Sequence, residues 1–255
     1  MRVFYSVEDI PILQNPVVTV GSYDGVHFGH RVLLNTVKAR AADMNGESVV
    51  VTFWPHPRQV LPNGGDIKLL NTLQEKLFLL NEAGIDNVVV LPFTAEFSNM
   101  TAYEFLSNVL VDCIGMRYFV VGYNHRFGSD RKGDIETLRA WQPKLGFIAE
   151  CVERHDVHDE KVSSTIIRSL IGRGEMTKAA EFLTRGYILI ADTDNTGSVL
   201  SVCNDKLLPP SGKYPVEVRN DACLSKDVAE IDDAGTVRLV RGTGSTVTDL
   251  LVTFL

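Results

Sequence analysis

The sequence predicts an α/β fold, Rossmann-like in that a parallel sheet carries helices on both faces, followed by a small C-terminal β domain. Three observations predict it. Apolar, β-branched runs alternate with segments of helical spacing through the first part of the chain. Those runs are continuously apolar, as strands buried on both faces are. From about residue 187 the helical spacing stops, and short strand-like runs separated by turns take over.

The elements follow in order. Residues 17–20, 49–53, 88–91 and 119–121 read as buried strands, and 147–152 as a fifth. Helical spacing marks 30–42, where Val32, Leu33, Val37 and Ala41 share a face, and then 72–83, 102–113 and 135–141. Gly84 follows Glu82-Ala83 as a C-terminal glycine. Thr101 with Glu104 forms a capping box that opens the third helix. Two more helical segments cover 165–171 and 176–183. Then 187–190, 199–202, 216–218, 237–240 and 247–254 read as short strands. A boundary near Arg185-Gly186 divides the chain into domains 1–185 and 186–255.

Composition narrows the class. Of 255 residues, 45% are hydrophobic, enough for a substantial core. The formal net charge of −7 opposes broad nucleic-acid binding, which needs a basic face. No apolar run approaches the ~20 residues that span a bilayer, and the first ten residues do not read as a signal peptide. The expectation is a cytoplasmic protein with no membrane and no nucleic-acid partner. Cys113, Cys151, Cys203 and Cys223 are too scattered for a metal motif and read as reduced thiols.

The most telling stretch is Gly21-Ser22-Tyr23-Asp24-Gly25-Val26-His27-Phe28-Gly29-His30. It lies between a strand and a helix. Strand, glycine loop and helix together present backbone N–H groups to a phosphate. Gly21, Gly25 and Gly29 permit tight turning, and Asp24 can fix the loop by accepting from nearby N–H groups. His27 and His30, three apart, can face one way and act as donors beside that anion site. Such a pair also fits a cap with a surface residue, or a shared metal. No Gly-x-x-x-x-Gly-Lys-Ser/Thr sequence and no Gly-x-Ser-x-Gly elbow is present. His155 and His158, among charged neighbours, read as a solvated turn rather than a metal motif.

Three further stretches complete a pattern: Phe53-Trp54-Pro55-His56-Pro57, Gly122-Tyr123-Asn124-His125-Arg126-Phe127-Gly128 and Ser163-Ser164-Thr165-Ile166-Ile167-Arg168. With the glycine loop, in this order and spacing, the first 185 residues or so resemble the adenylyltransferase module of the prokaryotic bifunctional riboflavin kinase/FMN adenylyltransferase, or FAD synthetase, family. The resemblance implies a nucleotidyltransferase fold and transfer of AMP from ATP to FMN. The products are FAD and pyrophosphate, and Mg2+ accompanies ATP with no tightly bound protein-ligated metal. It implies that His27, His30 and Arg168 are catalytic. Gly21, Asp24, Gly25, Gly29, Lys161, Ser163, Ser164 and Thr165 would bind ATP and its phosphates. Pro55, His56, Pro57, Asn124 and Arg126 would bind FMN. Several have a plainer reading. Ser163, Ser164 and Thr165 suit an N-cap, Asn124 a loop-ordering role and His56 a turn. His125 stands where the family more usually has phenylalanine.

The resemblance breaks in the C-terminal part. The family's kinase barrel carries a Gly-x-Pro-Thr-Ala-Asn motif, and no Pro-Thr-Ala-Asn occurs here. The segment also looks about half the usual barrel length. Riboflavin kinase activity is therefore expected to be absent. A shortened barrel would expose strand edges that a homo-oligomer can cover. Two other readings stay open: a nucleotidyltransferase for another phosphorylated acceptor, and a non-catalytic flavin-nucleotide binder.

Overall fold

A computed structural model describes residues 1–62, 64–154, 156–157, 160–220 and 223–255. The histidine turn at His155 and His158 lies outside the described residues. Packing divides the chain into two compact units. The first holds Met1–Tyr23, Gly29–Ile67 and Leu77–His155; the second holds Asp24–Phe28, Lys68–Lys76 and Asp156–Leu255.

In the first unit the apolar runs pair as parallel strands: β1 (Arg2–Phe4), β2 (Val17–Val20), β3 (Ser48–Trp54), β4 (Asn87–Pro92), β5 (Tyr118–Gly122) and β6 (Ile148–Val152). Their order is β1-β4-β3-β2-β5-β6. The chain moves outward from β2 through β3 to β4, then returns to lay β5 on the other side of β2. The crevice beyond the carboxyl ends of β2 and β5 is thus the switch point, where ligands bind in open α/β sheets. All four residues of β2 are buried, which explains a sequence that is apolar but for Thr19.

The helices are α1 (Phe28–Asp43), α2 (Pro57–Val60), α3 (Leu73–Glu82), α4 (Ala95–Ser98) and α5 (Ala102–Glu104), then a π-helix (Phe105–Cys113), α6 (Ile135–Leu145), α7 (Ser164–Gly172) and α8 (Met176–Leu183). In α1 the buried face runs through Leu34, Val37 and Ala41; Val32 and Leu33 are only half-buried. The expected single helix over 102–113 is a short α-turn and then a π-helix. Its opening is the expected capping box, with Thr101 and Glu104 bonded reciprocally. The wider winding buries Phe105, Leu106, Val109 and Leu110, with Ile114 beyond its end. Gly84 closes α3 at φ 75°. No helix among the described residues is long and apolar enough to cross a membrane.

In the second unit, α7 and α8 pack into one core with a barrel. Its strands are β7 (Tyr187–Thr193), β8 (Val199–Ser201), β9 (Gly212–Arg219), β10 (Leu224–Ile231), β11 (Val237–Leu239) and β12 (Leu250–Phe254). They close in the order β10-β11-β8-β7-β12-β9, with β10 pairing β9. The expectation of exposed strand edges therefore fails, because closure pairs each strand on both sides. β10 is the strand the sequence pattern does not reveal. Its first half is exposed and polar, and only Ala229 and Ile231 are buried.

Candidate active site

Within the second unit, the glycine loop and the hydroxyl–guanidinium segment meet. Asp24 is 1% exposed. Its carboxylate accepts from the backbone N–H groups of Leu70 at 3.3 Å and Asn71 at 3.0 Å, and forms an ion pair with Arg168. The Ser164 hydroxyl donates to the Asp24 carbonyl at 2.8 Å. Asp24 is thus an anchor that ties the loop to the start and the side chain of α7. Arg168 also donates from Nε to the Lys68 carbonyl at 2.9 Å. Its guanidinium is therefore held in a fixed plane by Asp24, a partner the sequence pattern did not reveal.

The loop itself is tightly constrained. Gly25 has φ 90°, and a Cβ there would lie 2.7 Å from Leu70 Cδ1, so both conformation and space demand glycine. Its N–H donates to Asn71 Oδ1 at 2.9 Å. Val26 follows at φ 38°, an uncommon conformation for a β-branched residue and one held by its surroundings. Arg185 supplies part of that hold, donating to the carbonyls of Gly25 at 2.7 Å and Val26 at 3.1 Å. Asn71 and Arg185 were missed by motif reading, because a lone Asn or Arg in another segment carries no local signal.

His27 is buried, and burial pushes its imidazole down to about 4 from an ordinary 6.5. The negative charge of Asp24 opposes that fall and the positive charge of Arg185 adds to it. His27 is accordingly neutral at pH 7. Lys76 is buried nearby, and burial lowers its ammonium to about 8 against the opposing pull of Asp24. Ser163 is the N-cap of α7, its hydroxyl accepting from Ile166 N–H at 3.3 Å. Thr165 and Lys161 are exposed.

The first unit holds the remaining expected site residues. Gly21 continues from β2, its N–H bonded to the Val51 carbonyl at 3.0 Å, and Gly29 lies inside α1. His30 sits in the first turn of α1, its ring 5.0 Å from that of the fully buried Tyr23. Tyr23 in turn bonds Thr19 of β2 at 2.8 Å. Asn124 and Arg126 are exposed just beyond the end of β5, and Arg126 lies 3.9 Å from Asp134. His125 lies against Phe119 and Phe127, part of an aromatic cluster that includes Phe53, Phe93, Phe97 and Phe105. It is half-buried as a whole, yet its Nε2 is enclosed, and burial pushes its imidazole down to about 4. Pro55 is exposed and Pro57 half-buried; His56 between them is the N-cap of α2, its Nδ1 accepting from Arg58 N–H at 3.1 Å.

Among the described residues no group of three or more His, Cys, Asp and Glu is placed to hold a metal ion. The four cysteines are free thiols.

The FAD synthetase family model matches residues 9–166. The chain belongs to this family. The match spans the glycine loop, the strand-end loops and the start of α7. Among curated relatives, the bifunctional riboflavin kinase/FMN adenylyltransferase of Pseudomonas fluorescens is 31% identical over 231 residues, covering 87% of this chain and 74% of that one. The proteins of the same name from Listeria monocytogenes and Haemophilus influenzae are 30% and 29% identical. They align with 80% and 69% of this chain, and with 68% and 57% of their own lengths. A solved structure titled macrolide-efflux protein from Streptococcus pneumoniae shares the fold at a TM-score of 0.83. It has 23% identity, covering this whole chain and 89% of that one. In this FAD synthetase family member, the Asp24–Ser164–Arg168 junction joins the two most widely separated motifs of the pattern.

Proposed function

We propose that this chain is an FMN adenylyltransferase, transferring AMP from ATP to FMN to give FAD and pyrophosphate. The observation that carries the reading is the junction of the glycine loop with Ser164 and Arg168 through Asp24. A nucleoside triphosphate lying along that loop would meet the His27 imidazole and the Arg168 guanidinium. A phosphate oxygen of FMN bonds to the α-phosphorus of ATP. The bond from that phosphorus to the oxygen bridging to the β-phosphate breaks, and pyrophosphate leaves with the electron pair. The attacking phosphate is already anionic at neutral pH, so no general base is required and catalysis rests on positioning and charge stabilisation. His27 and His30 donate to oxygens where charge builds, and each such donor is worth about 10²–10³ in kcat. The first-turn N–H groups of α7, the Thr165 hydroxyl and Lys161 receive the leaving phosphates, with Ser164 holding the Asp24 carbonyl beside them; Arg168 neutralises them. Ser163 sets the start of that helix. ATP enters as its Mg2+ complex, a substrate rather than a resident metal centre.

FMN is placed by the loops at the β3 and β5 ends, through Pro55, His56, Pro57, Asn124 and Arg126. Residues 1–185 form the adenylyltransferase domain, and 186–255 the barrel domain. In the barrel, the β7–β8 connection is a tight turn. Asp194 closes it, accepting from the Thr196 hydroxyl and the N–H groups of Ser198 and Val199. No Pro-Thr-Ala-Asn stretch occupies that connection. We accordingly assign no riboflavin kinase activity to the barrel, and a cytoplasmic setting where ATP and FMN are at hand.

The test is incubation with ATP, Mg2+ and either riboflavin or FMN, followed by separation of the flavins. The expected result is FAD from FMN and no FMN from riboflavin. In the same assay His30→Ala lowers kcat by about 10²–10³ with the fold retained. A parent protein that releases pyrophosphate with a different phosphorylated acceptor and not with FMN overturns the choice of acceptor. Tight FAD binding without turnover overturns the enzyme reading.

A further inference from the structure

The second unit contains a buried ion pair that none of the motifs requires. Lys206 precedes β9 and Glu75 lies in the first turn of α3; both side chains are fully buried, with Nζ 2.5 Å from Glu75 Oε2. All three ammonium protons have acceptors, since Nζ also donates to the carbonyls of Leu70 and Ile188, each at 2.8 Å. The same ammonium lies 4.3 Å from the centre of the Tyr187 ring. Glu75 is equally engaged. Oε1 accepts from Ile190 N–H of β7 at 3.0 Å, and Oε2 from Thr72 N–H at 3.0 Å. Taking two charges wholly out of water is costly, and well-packed apolar residues commonly serve stability as well or better. The pair is better explained by what it locates.

What it locates is the segment Lys68–Lys76. Leu69 pairs with residues 205–207 like a short parallel strand, its N–H donating to the Asp205 carbonyl at 2.7 Å and its carbonyl accepting from Leu207 N–H at 2.8 Å. The next two residues, Leu70 and Asn71, give Asp24 its backbone donors, and Asn71 receives the Gly25 N–H. The Asn71 side-chain amide donates to Glu75 Oε2 at 3.4 Å, so a continuous relay runs from barrel strand β7 and Lys206, through Glu75 and Asn71, to the peptide groups of the glycine loop. Its members all belong to one packing unit.

We propose that Glu75 and Lys206 are positioning residues for the ATP-binding loop, so that the barrel, with no kinase motif, serves adenylyl transfer by setting the loop's backbone. The proposal rests on the reading of that loop as the ATP site.

The test compares the parent with the double variant Glu75→Leu/Lys206→Met, which replaces the pair by apolar side chains of similar size. Thermal unfolding shows whether the variant folds. Steady-state kinetics give KM for ATP, KM for FMN and kcat, and amide hydrogen exchange reports the Gly25 N–H. The expected result is a folded variant whose KM for ATP rises about tenfold to a hundredfold, with KM for FMN within about twofold of the parent. Gly25 exchange accelerates in step. A folded variant with the parent's KM for ATP and the parent's Gly25 exchange overturns the proposal. Should the double variant not fold, Asn71→Ala cuts the relay at its last link and is judged by the same two readouts. A parent that makes no FAD sinks the function reading alone. The exchange of Gly25 in the variants still decides the relay.

Discussion

At the scale of single residues, the decisive feature is how completely Asp24 is engaged. Its carboxylate holds Arg168 and two backbone N–H groups, so the arginine serves the fold as well as the phosphate site proposed for it. Arg168→Ala is therefore expected to do two things. It leaves a carboxylate that is 2% exposed without its cationic partner, which destabilises the protein on the order of 3 kcal/mol. It also raises KM for ATP more than KM for FMN. Urea unfolding and steady-state kinetics measure the two effects separately, and a variant with the parent's stability removes Arg168 from the anchor. The sequence names Asp24 and Arg168 through their motifs, but nothing local says that they pair, because 144 positions separate them. For the same reason Asn71 and Arg185 escape a sequence reading. Their importance lies in the carbonyl and N–H groups they meet, and those are known only once the loop is folded.

At the scale of elements, the glycine loop shows why spacing alone overstates the role of glycine. Of Gly21, Gly25 and Gly29, only Gly25 sits at positive φ, and a Cβ there would come within 2.7 Å of Leu70 Cδ1. Gly25→Ala is expected to cost about 1–3 kcal/mol and to raise KM for ATP, since either the loop or Leu70 must move. An alanine variant with unchanged melting temperature and ATP affinity would show that the loop relaxes freely. Strands β2 to β5 were legible because burial on both faces keeps their central positions almost wholly apolar. The π-helix was not, because its buried positions look like an ordinary amphipathic α-helix until the hydrogen bonds are seen. Strand β10 was hidden by its exposed, charged first half.

At the scale of the whole molecule, each unit has a histidine that its surroundings keep neutral: the buried His27 in the second and His125, with its Nε2 enclosed, in the first. Unfolding returns both imidazoles to about 6.5, so between pH 6.5 and about 4 the unfolded chain binds more protons than the folded one. Stability falls as the pH drops through that window, by up to about 1.4 kcal/mol per pH unit for each histidine. His125→Phe, which keeps an aromatic ring beside Phe119 and Phe127 without a titratable group, is expected to flatten the slope by about one proton. Urea midpoints measured across that range check this, and an unaltered slope would place the acid sensitivity elsewhere. By itself the sequence determined the layered α/β class, the four motifs and the loss of the kinase signature. Each is carried by local periodicity or by residues a few positions apart. Only the tertiary structure decided that the barrel closes, that Asp24 binds Arg168, and that Lys206 and Glu75 tie barrel strand β7 to the glycine loop. Those are contacts between residues distant in sequence, and folding alone brings them within hydrogen-bond reach.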